Sequence, residues 1–138
     1  RGRPYERSGN MTAITLFDNA LALLATSRAQ SPEYTQYALP LINILLAETA
    51  AFDASIRAAK GLEAREGVPS VGALADELPA QDELTAGPLA YGLCAKLLLG
   101  DEDMARAALF NNSYVAALGE AARFVCAPVT DVYGGDGA

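Results

Sequence analysis

A chain of 138 residues, 51% hydrophobic and 20% charged, is long enough for one domain with a real core and too apolar to remain disordered. Its net charge of −7 repels phosphate backbones and anionic membrane surfaces, which argues against direct nucleic-acid or lipid-headgroup binding and makes basic protein surfaces the natural complement. The absence of histidine excludes His-based acid–base catalysis, His-containing triads and zinc sites that use His.

Alanine and leucine dominate while β-branched residues are thin, a balance that favours helix over sheet. The sequence predicts an all-α fold: a compact bundle of about four main helices, a long central loop and an extended C-terminal tail. Residues 1–10, "RGRPYERSGN", precede Met11, which reads as a natural start, so this decapeptide is treated as a flexible or non-native segment. The bundle then occupies 11–127 and the tail 128–138.

The first helix is expected over 12–29, capped by Thr12, with Ile14, Phe17, Leu21 and Leu24 on one face. "QSPEY" restarts the chain, with Ser31 as a cap and Pro32 at a first helical position, where its missing N–H costs nothing. The second helix, 32–60, carries a buried stripe of Tyr37, Leu41, Leu45, Phe52 and Ile56. Pro40 is expected to kink or split it, and Lys60 and Gly61 to close it.

Residues 61–83 form an irregular stretch, expected to be stapled across the bundle by Leu62, Val68, Val71, Leu74 and Leu78, with room for a short strand or 3₁₀ turn. The third helix, 84–99, is apolar nearly all round and reads as the central core helix, capped by Thr85 or Asp82 with Pro88 in its first turn. Gly92 inside it points to close approach of a neighbour. This run falls short of the roughly twenty residues of a membrane span, so a soluble chain is expected.

"GDED" reads as a turn in which Gly100 closes the third helix and Asp101 caps the fourth. That helix, 101–126, shows a stripe of Met104, Ala107, Phe110, Tyr114, Leu118, Ala121 and Val125. Phe17, Leu21, Leu41, Leu45, Phe52, Tyr91, Leu98, Phe110, Tyr114 and Leu118 are the expected core-packing residues. After Pro128 the helix should stop, leaving a β-prone "PVTDVY" and a flexible "GGDGA".

Little here carries chemistry. Cys94 and Cys126 sit apart in apolar contexts and read as buried free thiols in a reducing compartment. The paired carboxylates Asp76/Glu77, Asp82/Glu83 and Asp101/Asp103 fall in polar runs and at helix starts, which fits capping and solvated surface rather than acid–base work or metal binding. No phosphate loop, nucleophile elbow or dinucleotide fingerprint occurs, so neither catalysis nor a cofactor or metal is expected. Tyr34 and Tyr37 read as one core and one rim residue. Asn43 and Glu48 are the polar residues that a pocket inside the bundle would have to use.

Two N-terminal helices, then "DELP", "LAYGLCAKLLLGDED", an aromatic-bearing "LFNNSY" and a terminal "DVY" make an order that resembles small head–tail connector (adaptor, or neck) proteins of tailed phages and prophages, the Gram-positive-host type. The resemblance covers most of residues 11–133. It implies a non-enzymatic helical bundle that assembles as a homo-oligomeric ring, commonly dodecameric, on the portal protein. Such a ring links the capsid vertex to downstream neck and tail proteins in the virion neck, after assembly in the host cytoplasm. In such proteins a C-terminal arm docks on the portal. Asp131, Val132 and Tyr133 are the matching residues, with Tyr133 as aromatic anchor. The alternative is another phage or bacterial helical interaction module, a packaging accessory or regulator, that binds a basic partner.

Overall fold

The structure, a computed structural model, describes the backbone of residues 10–137 and the side chains of residues 10–123. It is all-α. Six helices are present among the described residues: α1 (Ala13–Leu23), α2 (Thr35–Glu48) preceded by a 3₁₀ turn (Pro32–Tyr34), α3 (Ala50–Ala59), α4 (Asp82–Thr85), α5 (Pro88–Gly100) and α6 (Met104–Gly137).

α1 begins where the sequence places it. Thr12 is extended, and its hydroxyl accepts from the Thr15 amide at 3.3 Å. Two further amides at this end are satisfied by the central loop, with Ala13 N donating to the Asp76 carbonyl at 2.9 Å and Ile14 N to that of Leu74 at 2.8 Å. The Leu78 amide donates to the Met11 carbonyl at 2.8 Å, beside a single antiparallel bridge between Thr12 and Glu77. The helix ends at Leu23 rather than 29. Ala25 turns left-handed (φ 60°), and the Ala25 and Thr26 amides fold back onto the Ala22 and Leu21 carbonyls. This Schellman closure recurs at Gly61 (φ 77°) after α3 and at Glu102 (φ 63°) after α5. Only one of the three uses glycine. Ser31 does not cap the 3₁₀ turn; its hydroxyl pairs with that of Thr26 at 2.6 Å.

The expected second helix is split, but not at Pro40. Pro40 lies within α2 on an exposed side, as does Gln36, whose carbonyl would have met a residue-40 amide, so the lost bond falls on the solvent side of the helix, where its cost is smallest. The break falls at Thr49, and the two segments diverge by 55°. The buried Thr49 hydroxyl donates to the Leu45 carbonyl at 2.9 Å while its own amide donates to the same oxygen at 3.0 Å. Doubling the donors on one carbonyl bends a helix. The bend re-aims the stripe: Ile42, Leu45, Leu46 and Ile56 are fully buried, Leu41 and Phe52 half-buried, and Tyr37, expected inside, is exposed.

α5 is the central element. It packs on α1, α2, α4 and α6. The expected 84–99 helix is interrupted, however: α4 is a single turn, and Gly87 (φ −152°, ψ −59°) is the N-cap of α5, with Pro88 at the first position. A residue before proline is driven out of helical geometry, which explains the gap. Neither Asp82 nor Thr85 caps α5, and the Thr85 side chain is buried. A Cβ on Gly92 would lie 2.6 Å from Leu45 Cδ2 and 2.9 Å from the Tyr114 ring, so glycine is what lets α5 meet α2 and α6 this closely. Tyr91 meets Phe110 with ring centroids 6.5 Å apart.

α6 begins at Met104, capped by Asp103, whose carboxylate accepts from the Arg106 amide at 3.3 Å; Asp101 is the C-cap of α5 instead. Ala107, Tyr114 and Ala121 are buried, Phe110 and Leu118 half-buried, and Met104, the first residue of the helix, is exposed. All ten expected core residues are buried in the core or packed against it. Val125 lies outside the described side chains. The backbone of α6 continues as helix through Pro128 to Gly137, against the expectation of an extended tail. Proline removes one backbone bond, whereas an established helix gains one per residue added.

The loop between α3 and α4 is stapled in its second half only. Val71 and Leu78 are buried and Leu74 packs on the core, whereas Leu62 and Val68 are exposed. Its polar anchors were not anticipated. Asn43 forks onto the Val71 backbone, donating at 3.0 Å and accepting at 2.8 Å. Asp53, almost fully buried, accepts from Arg65 at 2.7 Å and from the Gln81 amide at 2.9 Å.

Gly92→Ala should lower stability by about 1–2 kcal/mol despite its better helix propensity, because the added methyl overpacks the α5 contact; thermal unfolding measures this. Ala25→Gly and Glu102→Gly should each raise stability by about 0.5–1 kcal/mol by relieving left-handed backbone, read by the same melts.

Candidate functional site

Among the depressions of the described surface two adjoin, one on each side of Lys96; a third lies apart, between the start of α1 and α4. The first, about 420 Å³, lies between the start of α2 and the end of α5. Leu41 and Leu97 provide apolar lining, and Glu33, Tyr37 and Asp101 supply exposed groups. The second, about 280 Å³, lies between α5 and α6 and is lined mainly by Ala95, Leu99, Met104, Ala107 and Ala108. Leu99 and Met104 are both exposed. The cause is local. α5 is apolar all round, so its last turn still presents leucine, and the left-handed turn at Glu102 folds the first residue of α6 back beside it.

A polar frame holds this surface. Lys96 donates to Glu48 at 2.8 Å, and the Tyr114 hydroxyl donates to the other oxygen of Glu48 at 3.0 Å. Glu48 therefore ties α2 to α5 and α6 together. Burial, reinforced by this hydrogen bond to a carboxylate, pushes the Tyr114 hydroxyl above the usual phenol range. Neutralised by Glu48, Lys96 leaves its hydrocarbon stem as wall between the two depressions. The Tyr34 hydroxyl donates to Asp101, closing the far end of the first depression. That bond, helped by desolvation, pushes Tyr34 up to about 12.

The arrangement suits non-covalent recognition. Apolar lining is flanked by the acids Glu33, Asp101, Glu102 and Asp103, a combination that complements an apolar anchor carried beside basic groups. No group of three or more Cys, Asp or Glu residues gathers to hold a metal among the described residues.

The docking candidates Asp131, Val132 and Tyr133 lie on the helical backbone of α6, and their side chains fall outside the described residues. Asn43 and Glu48 are not brought together in a pocket; Asn43 clamps the loop and Glu48 serves the frame. Of the tyrosine pair, Tyr34 is the one that packs on the core and Tyr37 the one at the rim, the reverse of Tyr37's place in the expected buried stripe. Four of the six paired carboxylates have structural partners. Asp76 accepts from the Gly72 and Ala73 amides, Glu83 from Lys60, Asp101 from Tyr34, and Asp103 caps α6. Cys94 is a buried free thiol that donates to the Ala20 carbonyl at 3.1 Å, and burial pushes it up to about 12; the side chain of Cys126 lies outside the described residues. Asp53 escaped sequence reasoning. Its spacing of three from Ile56 places it on the buried face, the one signal that was available.

No family model, characterised protein or solved structure matches this chain. No single helix is long and apolar enough to cross a membrane among the described residues. The bent pair Pro32–Glu48 and Ala50–Ala59 passes by length and composition, but α2 spends its apolar face on the core.

Asp53→Ala should cost about 2–3 kcal/mol and speed tryptic cleavage after Arg65, since it removes the bonds to Arg65 and to the Gln81 amide at once and leaves only the Asn43 clamp; limited proteolysis with denaturant melts tests this. Tyr34 is raised in the folded chain, so its contribution is fully present below the unfolded value near 10 and is lost as pH rises towards about 12. Ultraviolet titration should therefore show late-ionising phenols from Tyr34 and Tyr114, of which Tyr34→Phe removes one, with stability falling across that interval in the parent chain.

Proposed function

We propose that this protein is a structural assembly module, and specifically a phage head–tail connector that docks on a portal ring and links the capsid vertex to neck and tail proteins. The observation that carries the first part is the divided surface on α2, α5 and α6, apolar in its lining, acidic at its rim and braced by Glu48, Lys96 and Tyr114. A rigid body with exposed Leu99 and Met104 suits a role in which binding, not turnover, is the output.

The connector assignment rests on the order of the sequence segments. "DELP" lies in the loop that satisfies the start of α1, "LAYGLCAKLLLGDED" is α5 with its turn, and "LFNNSY" opens the exposed side of α6. On this reading the partners are the portal and downstream neck proteins, the assembled form is a ring, and the location is the virion neck. The acidic rim also favours a second reading, a helical module that binds some other basic protein.

The test is affinity capture from an induced lysogen with the full chain as bait, alongside Leu99→Asp and a chain lacking residues 128–138. Recovery of a portal-sized virion protein by the full chain, with at least about tenfold less on Leu99→Asp at unchanged melting temperature, is the expected result. Loss on the truncation would assign docking to Asp131, Val132 and Tyr133. Recovery of a regulatory partner and no virion protein would leave the second reading in place.

A further inference from the structure

Between Arg106 and Glu120 the exposed side of α6 carries no charge, although the whole chain stands at −7. Leu109 and Val115 are 65% and 59% exposed there, and Asn112 and Ala116 lie between them on the same open side. No element among the described residues covers this face. Its ends are charged in a self-complementary way. Asp103 and Arg106 precede it, and Glu120 and Arg123 follow it. The pairs Arg106/Glu120 and Asp103/Arg123 share one midpoint, Ser113. A second α6 laid antiparallel over that midpoint therefore brings Arg106 to the partner's Glu120, and the two-fold axis repeats the pair at the other end; Asp103 and Arg123, twenty residues apart, project to opposite sides and take no part. A parallel copy would set like charges against each other.

We infer that this face pairs with a second copy of the same chain, α6 against α6 in an antiparallel, two-fold contact centred on Ser113. Two molecules this acidic repel each other over most of their surface, so a stable self-contact needs an uncharged centre with opposite charges at its edges, and α6 supplies both. The helical period supports the register. Arg106 and Glu120 lie fourteen residues apart, close to four turns and about 21 Å, and so project to the same side of the helix axis, where antiparallel partners meet edge to edge. Each currently pairs within its own helix, Arg106 with Asp103 at 3.6 Å and Glu120 with Arg123. These exposed pairs can open so that Arg106 and the partner's Glu120 meet without desolvating an unpaired group. The contact is independent of the connector reading, because a two-fold pair closes on itself and does not build a ring.

Sedimentation equilibrium of the full chain from micromolar to millimolar concentration tests the pairing, with circular dichroism melts as the fold control. Arg106→Glu and Glu120→Arg should each weaken dimerisation by about tenfold or more, since the two-fold axis makes every reversal count twice. The double variant should recover near-parental affinity. Asn112→Glu, which sets like charges together at the centre and touches no buried residue, should also abolish the dimer at unchanged melting temperature. A chain that stays monomeric throughout, an oligomer indifferent to Asn112→Glu, or a double variant no better than the singles would overturn the inference. Intact dimers that capture no virion protein would count against the connector reading alone.

Discussion

The approach of three helices at Gly92 is the constraint on which the rest of the structure depends. α5 surrenders nearly all its surface to neighbours, and the missing Cβ brings Leu45 of α2 and Tyr114 of α6 against its backbone. That proximity fixes more than packing. It places the Tyr114 hydroxyl within reach of Glu48, and Glu48 within reach of Lys96, so one apolar contact sets the polar brace above it. The order of causes runs from a small residue, to a short interhelical distance, to a hydrogen-bonded triad, to a surface with a fixed shape.

The loop between α3 and α4 plays the complementary part. Helix starts leave amides without partners, and α1 solves this by borrowing the carbonyls of Leu74 and Asp76. The loop is held in return by Asn43 on α2 and by the buried carboxylate of Asp53 on α3. A buried charge is expensive unless it is paired and fully hydrogen-bonded, and Asp53 meets that condition with one guanidinium and one amide. A segment that looks irregular is thus fastened at intervals, which is why it passes under the bundle with Val71 and Leu78 inside.

Much of this was legible in the residues. The all-α class, the Thr12 cap, the apolar helix that became α5, the purpose of Gly92 and the ten core positions follow from periodicity, capping chemistry and composition. The surface was less legible. Leu99 and Met104 look like core residues in sequence, and only their position at the two sides of a left-handed turn leaves them outside. Asp53 was hard to read for the opposite reason: apart from its spacing to Ile56, a lone carboxylate in the first turn of a helix reads as solvated until a distant arginine is shown to meet it.

What the sequence determined by itself is local. Hydrophobic spacing, a capping threonine, a proline at a first helical position and a glycine in an apolar run act within a few residues, and their outcomes survive any arrangement of the whole. What the tertiary structure decided is where those local rules compete. The bend fell at Thr49 because its buried hydroxyl, having no water to bond, turned to the Leu45 carbonyl, while exposed Pro40 could leave its lost bond to solvent. The turn at Glu102 adopted a conformation its side chain disfavours because it satisfies the last carbonyls of α5 and aims α6 back along it. Burial, which no single residue sets, decides which of two permitted local choices costs less.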